Sequence, residues 1–131
     1  MIYLDSAAVV KLVHAEAESQ ALRSWLARRS GLGWASSVLA EVETFRALAR
    51  HAPEAISRLP HILDLIDLVE IDSRVRALAQ TVTPPVVRTL DAIHLATALR
   101  LGDQLTYFVT YDKRLADAAA AAGLTVDIPA R

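Results

Sequence analysis

The segment Leu90-Asp91-Ala92-Ile93-His94-Leu95-Ala96-Thr97-Ala98-Leu99 is the most informative part of this chain. It reads as a helix that is apolar on nearly every face, and such a helix belongs in the core of a domain. One carboxylate, Asp91, lies near its start. Carboxylates are rare on such elements unless they are paired, hydrogen-bonded or bound to a metal. The segment therefore predicts a partner for Asp91 elsewhere in the chain.

The chain has 131 residues, 53% of them apolar, which is enough for one domain with its own core. The absence of cysteine excludes disulfide bonds, thiolate metal sites and cysteine nucleophiles, and it is typical of a reducing compartment. Residues 1–5 lack the basic region and long apolar run of a signal peptide. No apolar stretch is long and charge-free enough to span a membrane. We therefore expect a cytoplasmic protein that does not enter a membrane.

Short apolar runs alternate with helical patterns along the whole chain. The predicted strands cover residues 2–4, 34–36, 68–71, 107–110 and 124–126. The predicted helices cover residues 6–13 with Ser6 as the cap, 17–29, 38–52, 54–67 with a bend at Pro60, 73–80, 90–101 and 113–122. This alternation is typical of β-α units. It predicts an α/β fold in one domain, residues 1–131, built as a three-layer α/β/α sandwich around a mainly parallel sheet.

Two further acids follow predicted strands. Asp5 comes directly after the first strand, and Asp112 comes just after the strand that contains Tyr107. In a parallel sheet, functional sites form at the carboxyl ends of the strands. We therefore expect Asp5 and Asp112 on one edge of the sheet.

Helical spacing distinguishes Glu41 from Glu43. Glu41 shares a helix face with Val38, Phe45 and Leu48, which are all apolar. Glu43 shares its face mainly with arginines, as expected of a solvent-exposed side. The pattern therefore predicts that Glu41 points inward and that Glu43 is solvated.

Each acid of the strand ends and helix starts also has a purely structural explanation. Asp5 can terminate a strand, Asp91 can complement a helix dipole, and Asp112 can cap the helix that begins at Lys113. Four carboxylates on one sheet edge, however, repel one another unless a cation joins them. Oxygen ligands without cysteine or clustered histidine suit Mg²⁺ or Mn²⁺. We therefore predict a metal site that includes Glu41 as its fourth acid.

Four segments, in this order, carry a family resemblance: Asp5-Ser6, Ala40-Glu41-Val42, Leu90 to Ala98, and Val109-Thr110-Tyr111-Asp112-Lys113-Arg114-Leu115. Together they resemble the PIN domain family, and in particular the VapC-type toxins of bacterial toxin–antitoxin pairs. The resemblance implies a Mg²⁺- or Mn²⁺-dependent endoribonuclease. The family's acidic quartet falls on Asp5, Glu41, Asp91 and Asp112, and its supporting hydroxyl positions fall on Ser6 and Thr110.

The resemblance also implies partners. A toxin of this kind is neutralised by a VapB-type antitoxin, forms dimers and assembles into toxin–antitoxin hetero-oligomers. The apolar side chains of the first two helices are our candidates for the groove that receives the antitoxin, by a helix-in-groove mode. They are Val9, Val13, Leu22 and Leu26.

The net charge of −1 does not by itself favour RNA binding. Basic residues beside the motifs are nevertheless candidates for contacts with backbone phosphates. They are Lys11, Arg88, Lys113 and Arg114. We expect His94, on the buried helix, to be a core histidine with satisfied hydrogen bonds.

Other functions stay open at this point. A housekeeping PIN nuclease would have the same residues. A phosphatase-like domain on the same sheet would need a second aspartate after the first strand, and Asp5-Ser6-Ala7 lacks it. A non-catalytic interaction module would keep the acids for structural reasons. A change in melting temperature on metal titration separates that module from a nuclease.

Overall fold

The computed structural model describes residues 1–130, and in this part of the chain five strands form one parallel sheet. The strands are β1 (Ile2–Leu4), β2 (Trp34–Ser37), β3 (Ile66–Val69), β4 (Tyr107–Val109) and β5 (Val126–Asp127). Their order across the sheet is β3-β2-β1-β4-β5, and every neighbouring pair is parallel. The predicted α/β class and parallel sheet are confirmed.

The same residues form seven α-helices and two short 3₁₀-helices. The α-helices are α1 (Ser6–Val13), α2 (Ser19–Ala27), α3 (Leu39–His51), α4 (Leu59–Leu63), α5 (Ser73–Gln80), α6 (Thr89–Arg100) and α7 (Lys113–Ala121). The 3₁₀-helices are Pro53–Arg58 and Gly102–Gln104. Within residues 1–130, none of these helices is long and apolar enough to cross a bilayer.

Strand β1 shows how the helices cover both faces of the sheet. All three of its residues are fully buried, and successive strand side chains point to opposite faces. Ile2 and Leu4 pack in a cluster with α1 and α2, whereas Tyr3 packs in a second cluster with α6 and α7. The two clusters lie between the sheet and the helices on each of its faces, which gives the predicted three-layer sandwich.

Most of the apolar residues proposed for the antitoxin groove lie inside the core, whereas Leu26 also borders a surface groove together with Leu12. Val9 and Leu22 are completely buried, and Val13 and Leu26 are nearly so. The prediction that Val9, Val13 and Leu22 receive an antitoxin is therefore wrong, because the sheet and the neighbouring helices already cover them. For Leu26 it stays a prediction.

Prolines explain the largest error in the predicted elements. Residues 54–67 were predicted as one bent helix, but they form the 3₁₀-helix Pro53–Arg58, the short α4 and the start of β3. Pro53 and Pro60 each occupy the first turn of a new helix, where a missing N–H costs nothing. Ile66, predicted as the last apolar position of that helix, is a buried residue of β3.

Candidate functional site

Asp5 is fixed at the meeting point of two neighbouring strands. β1 and β4 are paired, so that Asp5 and Thr110 follow adjacent strand ends. The Thr110 hydroxyl donates to Asp5 Oδ2 at 2.6 Å, and the Ala8 backbone N–H donates to Oδ1 at 2.9 Å. Asp5, and not Ser6 as predicted, is therefore the N-cap of α1, because its carboxylate reaches the free N–H groups of the first turn.

Burial dominates the electrostatics of Asp5. Asp5 is only 5% exposed, and this desolvation raises the pKa of the Asp5 carboxyl above its ordinary value. The hydrogen bonds from Thr110 and Ala8 oppose the rise, and the nearby charge of Asp91 adds to it. A buried carboxylate with a second carboxylate nearby is a site that favours a cation.

Asp91 and Asp112 lie together with Arg88 at the starts of α6 and α7. Arg88 donates to Asp112 Oδ2 at 3.0 Å and to Asp91 Oδ2 at 3.4 Å. Desolvation raises the pKa of Asp91, and the charge of Asp112 raises it further, although Arg88 counteracts both. Asp112 also caps α7 through the Leu115 N–H at 3.0 Å. Asp112 thus caps α7, as its structural explanation predicts, and it also lies near Asp91 because both bind Arg88.

The acid that α3 contributes is Glu43. Glu43 Oε1 accepts hydrogen bonds from the Ser6 hydroxyl and from His94 Nε2, the latter at 2.7 Å. Glu41 is exposed and borders a surface groove with Phe45 and the residues of α4. The prediction that Glu41 points inward and Glu43 outward is therefore wrong.

Small buried side chains explain why the prediction chose the wrong inward face of α3. The buried residues of this helix are Ala40, Thr44 and Leu48, spaced four apart, whereas Val42 and Phe45 are 58% and 48% exposed. The prediction followed large apolar residues such as Phe45, but the buried face of α3 consists of Ala40, Thr44 and Leu48. The pattern Ala40, Thr44 and Leu48 was the available signal, since Glu43 lies beside it.

Glu43 carries a stabilised negative charge. Partial burial by itself would raise the pKa of the Glu43 carboxyl, but hydrogen bonds from His94 and Ser6 outweigh that effect. The pKa of Glu43 consequently lies below its usual range, so that the group is ionised at neutral pH.

His94 is buried and hydrogen-bonded on both ring nitrogens, as predicted for a core histidine. Its Nδ1 lies 2.7 Å from the Tyr3 hydroxyl, and its Nε2 contacts Glu43 and, at 3.1 Å, Ser6. Its link to an acid of the site was not predicted. The signal was helical spacing, because His94 follows Asp91 by three residues and shares its face.

The four candidate RNA-contact residues have different environments. Lys11 is 12% exposed, pairs with Glu16 and Glu18 and lies over the ring of Tyr111, so its charge is already engaged. Lys113 pairs with Asp117 at 3.2 Å. Arg88 is 71% exposed although it bridges two acids. Arg114 is exposed.

A cavity adjoins the acidic residues on the side of α7. It has a volume of about 320 Å³, and Arg88, Asp91 and Arg114 are on its wall. Asp117 also lines it, and apolar residues such as Leu115 and Ala118 form the rest of the lining. The cavity thus combines cations, an apolar surface and a direct border with the acidic site.

The donor set fits a hard divalent cation. Within residues 1–130, no three acidic or histidine side chains enclose a ready-made metal cage. The carboxylates nevertheless interact in pairs, Asp5 with Asp91 and Asp91 with Asp112, and each interaction raises a pKa. Oxygen donors with excess negative charge suit Mg²⁺ or Mn²⁺ and leave sites open for water.

These features define a class: a small α/β domain with an oxygen-only acidic site at the carboxyl edge of a parallel sheet. The sequence profile of the PIN domain matches residues 2–121. The chain therefore belongs to the PIN domain family.

Close sequence relatives are ribonucleases of Mycobacterium tuberculosis. The chain is 47% identical over 131 residues to the ribonuclease VapC35, covering 98% of this chain and 97% of the relative. It is 41% identical over 132 residues to the ribonuclease VapC47, with the same coverage.

Solved structures agree in fold. VapC20 of M. tuberculosis, described as a sarcin-ricin loop cleaving toxin, matches with a TM-score of 0.76 at 16% identity, over 95% of this chain and 97% of that one. A toxin–antitoxin complex from Klebsiella pneumoniae matches with a TM-score of 0.70 at 21% identity, over 98% of both chains.

Proposed function

We propose that this protein is a metal-dependent endoribonuclease that acts as the toxin of a toxin–antitoxin pair. One observation carries the proposal: the buried carboxylate of Asp5 is held by Thr110 and the start of α1 at the carboxyl edge of a PIN domain sheet. The sequence relatives named as ribonucleases support the reaction.

Asp5 and Asp91 would hold Mg²⁺ or Mn²⁺ directly, and Asp112 and Glu43 would complete the site directly or through water. When bound, such an ion activates a water molecule and stabilises negative charge on the phosphate oxygens. Glu43 takes the place that the sequence pattern gave to Glu41, because only Glu43 reaches the buried hydrogen-bond donors of α1 and α6.

The protein's own residues hold the carboxylates in place before any substrate binds. Thr110 and the start of α1 fix both oxygens of Asp5, and Ser6 and His94 fix one oxygen of Glu43. Such contacts around a metal site orient its ligands. Glu43 is ionised and therefore able to accept a hydrogen bond, or a proton, from the attacking water.

RNA would approach along the side of α7. Arg88 and Arg114 border the cavity beside Asp91, where they can contact backbone phosphates or stack on an unpaired base. The apolar lining suits one nucleotide next to the cleaved phosphate. Lys11 is a poor candidate, because two glutamates pair with it and its side chain is only 12% exposed. Arg88 also pairs with two acids, but it is 71% exposed.

The partner would be a VapB-type antitoxin, in a hetero-oligomer that also contains a toxin homodimer. The structural similarity to a toxin–antitoxin complex supports this choice. The groove between α3 and α4, with the exposed Phe45, replaces the buried Val9, Val13 and Leu22 as the candidate docking site. The proposal places the protein in the cytoplasm, where its RNA substrate would be.

Metal dependence is the first prediction. We expect cleavage of a fluorescently labelled RNA to stop in EDTA and to return with Mg²⁺ or Mn²⁺, because the site offers only oxygen ligands. Mn²⁺ should also raise the melting temperature of the parent, since a ligand that binds only the folded state stabilises it. Asp91→Asn is the matched control and should lose both effects. Full cleavage in EDTA would exclude the metal mechanism.

Toxicity is the second prediction. Expression of the protein alone should arrest growth, and co-expression of its antitoxin gene should restore it. Asp91→Asn should be harmless at the same protein level. If the parent cleaves RNA in vitro but remains harmless at high expression, the housekeeping nuclease is the better assignment.

A further inference from the structure

A chain of hydrogen bonds runs from the core of the domain to the acidic site. The Tyr3 hydroxyl contacts His94 Nδ1 at 2.7 Å, and His94 Nε2 contacts Glu43 Oε1 at 2.7 Å. Tyr3 is fully buried and the His94 side chain is 2% exposed, whereas the Glu43 side chain is 25% exposed. The chain therefore begins in the dry core, on β1, and ends at the edge of the site, on α3.

Donors and acceptors assign the hydrogens along this chain. An ionised carboxylate can only accept, so that His94 Nε2 must carry the hydrogen that it shares with Glu43. In a neutral imidazole the other nitrogen, Nδ1, then has no hydrogen and accepts one from the Tyr3 hydroxyl. A tyrosine hydroxyl can donate as well as accept, and the Tyr3 hydroxyl lies 2.7 Å from Nδ1, so it can supply that hydrogen.

The chain acts on one oxygen of Glu43. Both Ser6 and His94 donate to Oε1, which satisfies that atom. Within residues 1–130, both side-chain hydrogen bonds of Glu43 go to Oε1, and none goes to Oε2. A carboxylate held in this way has one oxygen for the protein and one for a ligand.

We propose that Tyr3 and His94 are positioning residues: Tyr3 fixes His94 as its Nε2–H tautomer, and His94 fixes Glu43 so that only Oε2 is offered to the metal or its water. This inference rests on the proposed nuclease function, because it gives Glu43 a role at the metal site. It goes beyond that function by assigning a role to two buried residues that touch neither metal nor substrate.

Packing alone does not require these polar groups. The Tyr3 ring stacks on Phe108 with centroids 5.3 Å apart and ring planes 3° apart, and phenylalanine would keep that contact. Burying a hydroxyl and an imidazole is costly unless both are hydrogen-bonded. An apolar pair of similar volume would fill the same space without that cost, so the hydrogen-bonded chain indicates a role other than filling the core.

NMR of the metal-free protein tests the first half of the proposal without metal or RNA. With ¹⁵N-labelled histidine, long-range correlations at neutral pH should show His94 with a protonated Nε2 and an unprotonated Nδ1. Tyr3→Phe should give a mixture of tautomers. The opposite tautomer in the parent, hydrogens on both nitrogens, or an unchanged spectrum in Tyr3→Phe would overturn the assignment.

Mn²⁺ affinity, measured by electron paramagnetic resonance, tests the second half. Tyr3→Phe should weaken Mn²⁺ binding about tenfold, the lower end of the range for groups that orient metal ligands. It should lower kcat while the KM for RNA stays within about twofold, since Tyr3 contacts no RNA. His94→Leu should behave like Tyr3→Phe, or worse, and His94→Gln should recover part of the affinity because its amide can donate to Glu43.

Thr44→Val is the matched control. Thr44 is fully buried beside Glu43, and its hydroxyl donates only to the Ala40 carbonyl of its own helix. This variant should lose some stability but keep its Mn²⁺ affinity. If Tyr3→Phe and His94→Gln bind Mn²⁺ as tightly as an active parent, the positioning role is wrong while the nuclease stands. A parent that neither binds Mn²⁺ nor cleaves RNA overturns the proposed function and this inference together.

Discussion

Every acid of the candidate site is held by a specific donor. Asp5 accepts from Thr110 and Ala8, and Glu43 accepts from Ser6 and His94. Asp112 accepts from Leu115 and Arg88, and Asp91 accepts from Arg88. The positions of Asp5, Asp91 and Asp112 in the fold were predictable from the sequence, because strand ends and helix starts are marked by local patterns. Glu43 was not predicted, because its orientation depends on how closely α3 approaches α1, which no local pattern of large apolar residues records.

The third prediction therefore compares the two glutamates of α3. Glu43→Gln should reduce the rate of RNA cleavage at least tenfold, because an uncharged amide is a poorer metal ligand and no base. Glu41→Gln is the control and should leave the rate nearly unchanged, since Glu41 is exposed. Steady-state cleavage of one labelled RNA measures both. A larger loss in Glu41→Gln would show that α3 is rotated relative to this structure.

Asp91 gives the fourth prediction, which concerns stability. Burial raises the pKa of Asp91 in the folded protein, so the folded state binds a proton there more tightly than the unfolded state. Protonated Asp91 therefore adds to the free energy of unfolding at acid pH. This stabilisation is lost as the pH rises through the pKa that Asp91 has in the folded protein. In EDTA, Asp91→Asn should be inactive yet melt at or above the temperature of the parent. Its advantage should appear only above roughly pH 4.

The opposite result has a defined meaning. If Asp91 mainly supports the N-terminus of α6, the neutral side chain should cost about 0.3–1 kcal/mol and lower the melting temperature. Melts of both proteins in EDTA across the pH range decide between repulsion in the site and support of the helix.

At the level of elements, α3 and α6 differ in how well the sequence predicts which of their faces is buried. α6 is buried on most sides, as its composition predicts, with His94, Leu95, Ala96, Thr97 and Ala98 all inaccessible. α3 is buried on one side only, and two of the three buried residues, Ala40 and Thr44, are small. The alternation of strands and helices was therefore predictable, but the rotation of α3 about its axis was not, because Val42 and Phe45 are apolar and exposed.

The fifth prediction tests this close packing. Ala40 is fully buried on α3, and Ala40→Leu should lower the free energy of unfolding by about 1–3 kcal/mol, because a well-packed core has no room for the added atoms. Ala49→Leu on the exposed side of the same helix is the control and should change it by less than about 0.5 kcal/mol. Urea denaturation measures both. Equal effects would mean that α3 is not packed through its small face.

For the whole molecule, strand order explains where the site lies. β1 is flanked by β2, which follows it in sequence, and by β4, which comes much later. Sites in open α/β sheets form where the strand order reverses in this way, and Asp5 and Thr110 follow the two strands that meet there. The sequence predicted a shared sheet edge for them. It did not predict the contact of α1, α3 and α6 around His94, which requires the assembled tertiary structure.

The capping role of Asp5 affects how genetic results should be interpreted. Asp5→Ala would remove the cap of α1, at about 1 kcal/mol, and leave the buried Thr110 hydroxyl without its acceptor, at about 1–3 kcal/mol. Losses of this size reduce the abundance of a marginally stable protein in cells. A screen for surviving colonies would then recover Asp5→Ala whether or not cleavage had been abolished. Asp5→Asn keeps an oxygen for the Ala8 N–H, so it is the better test of lost chemistry.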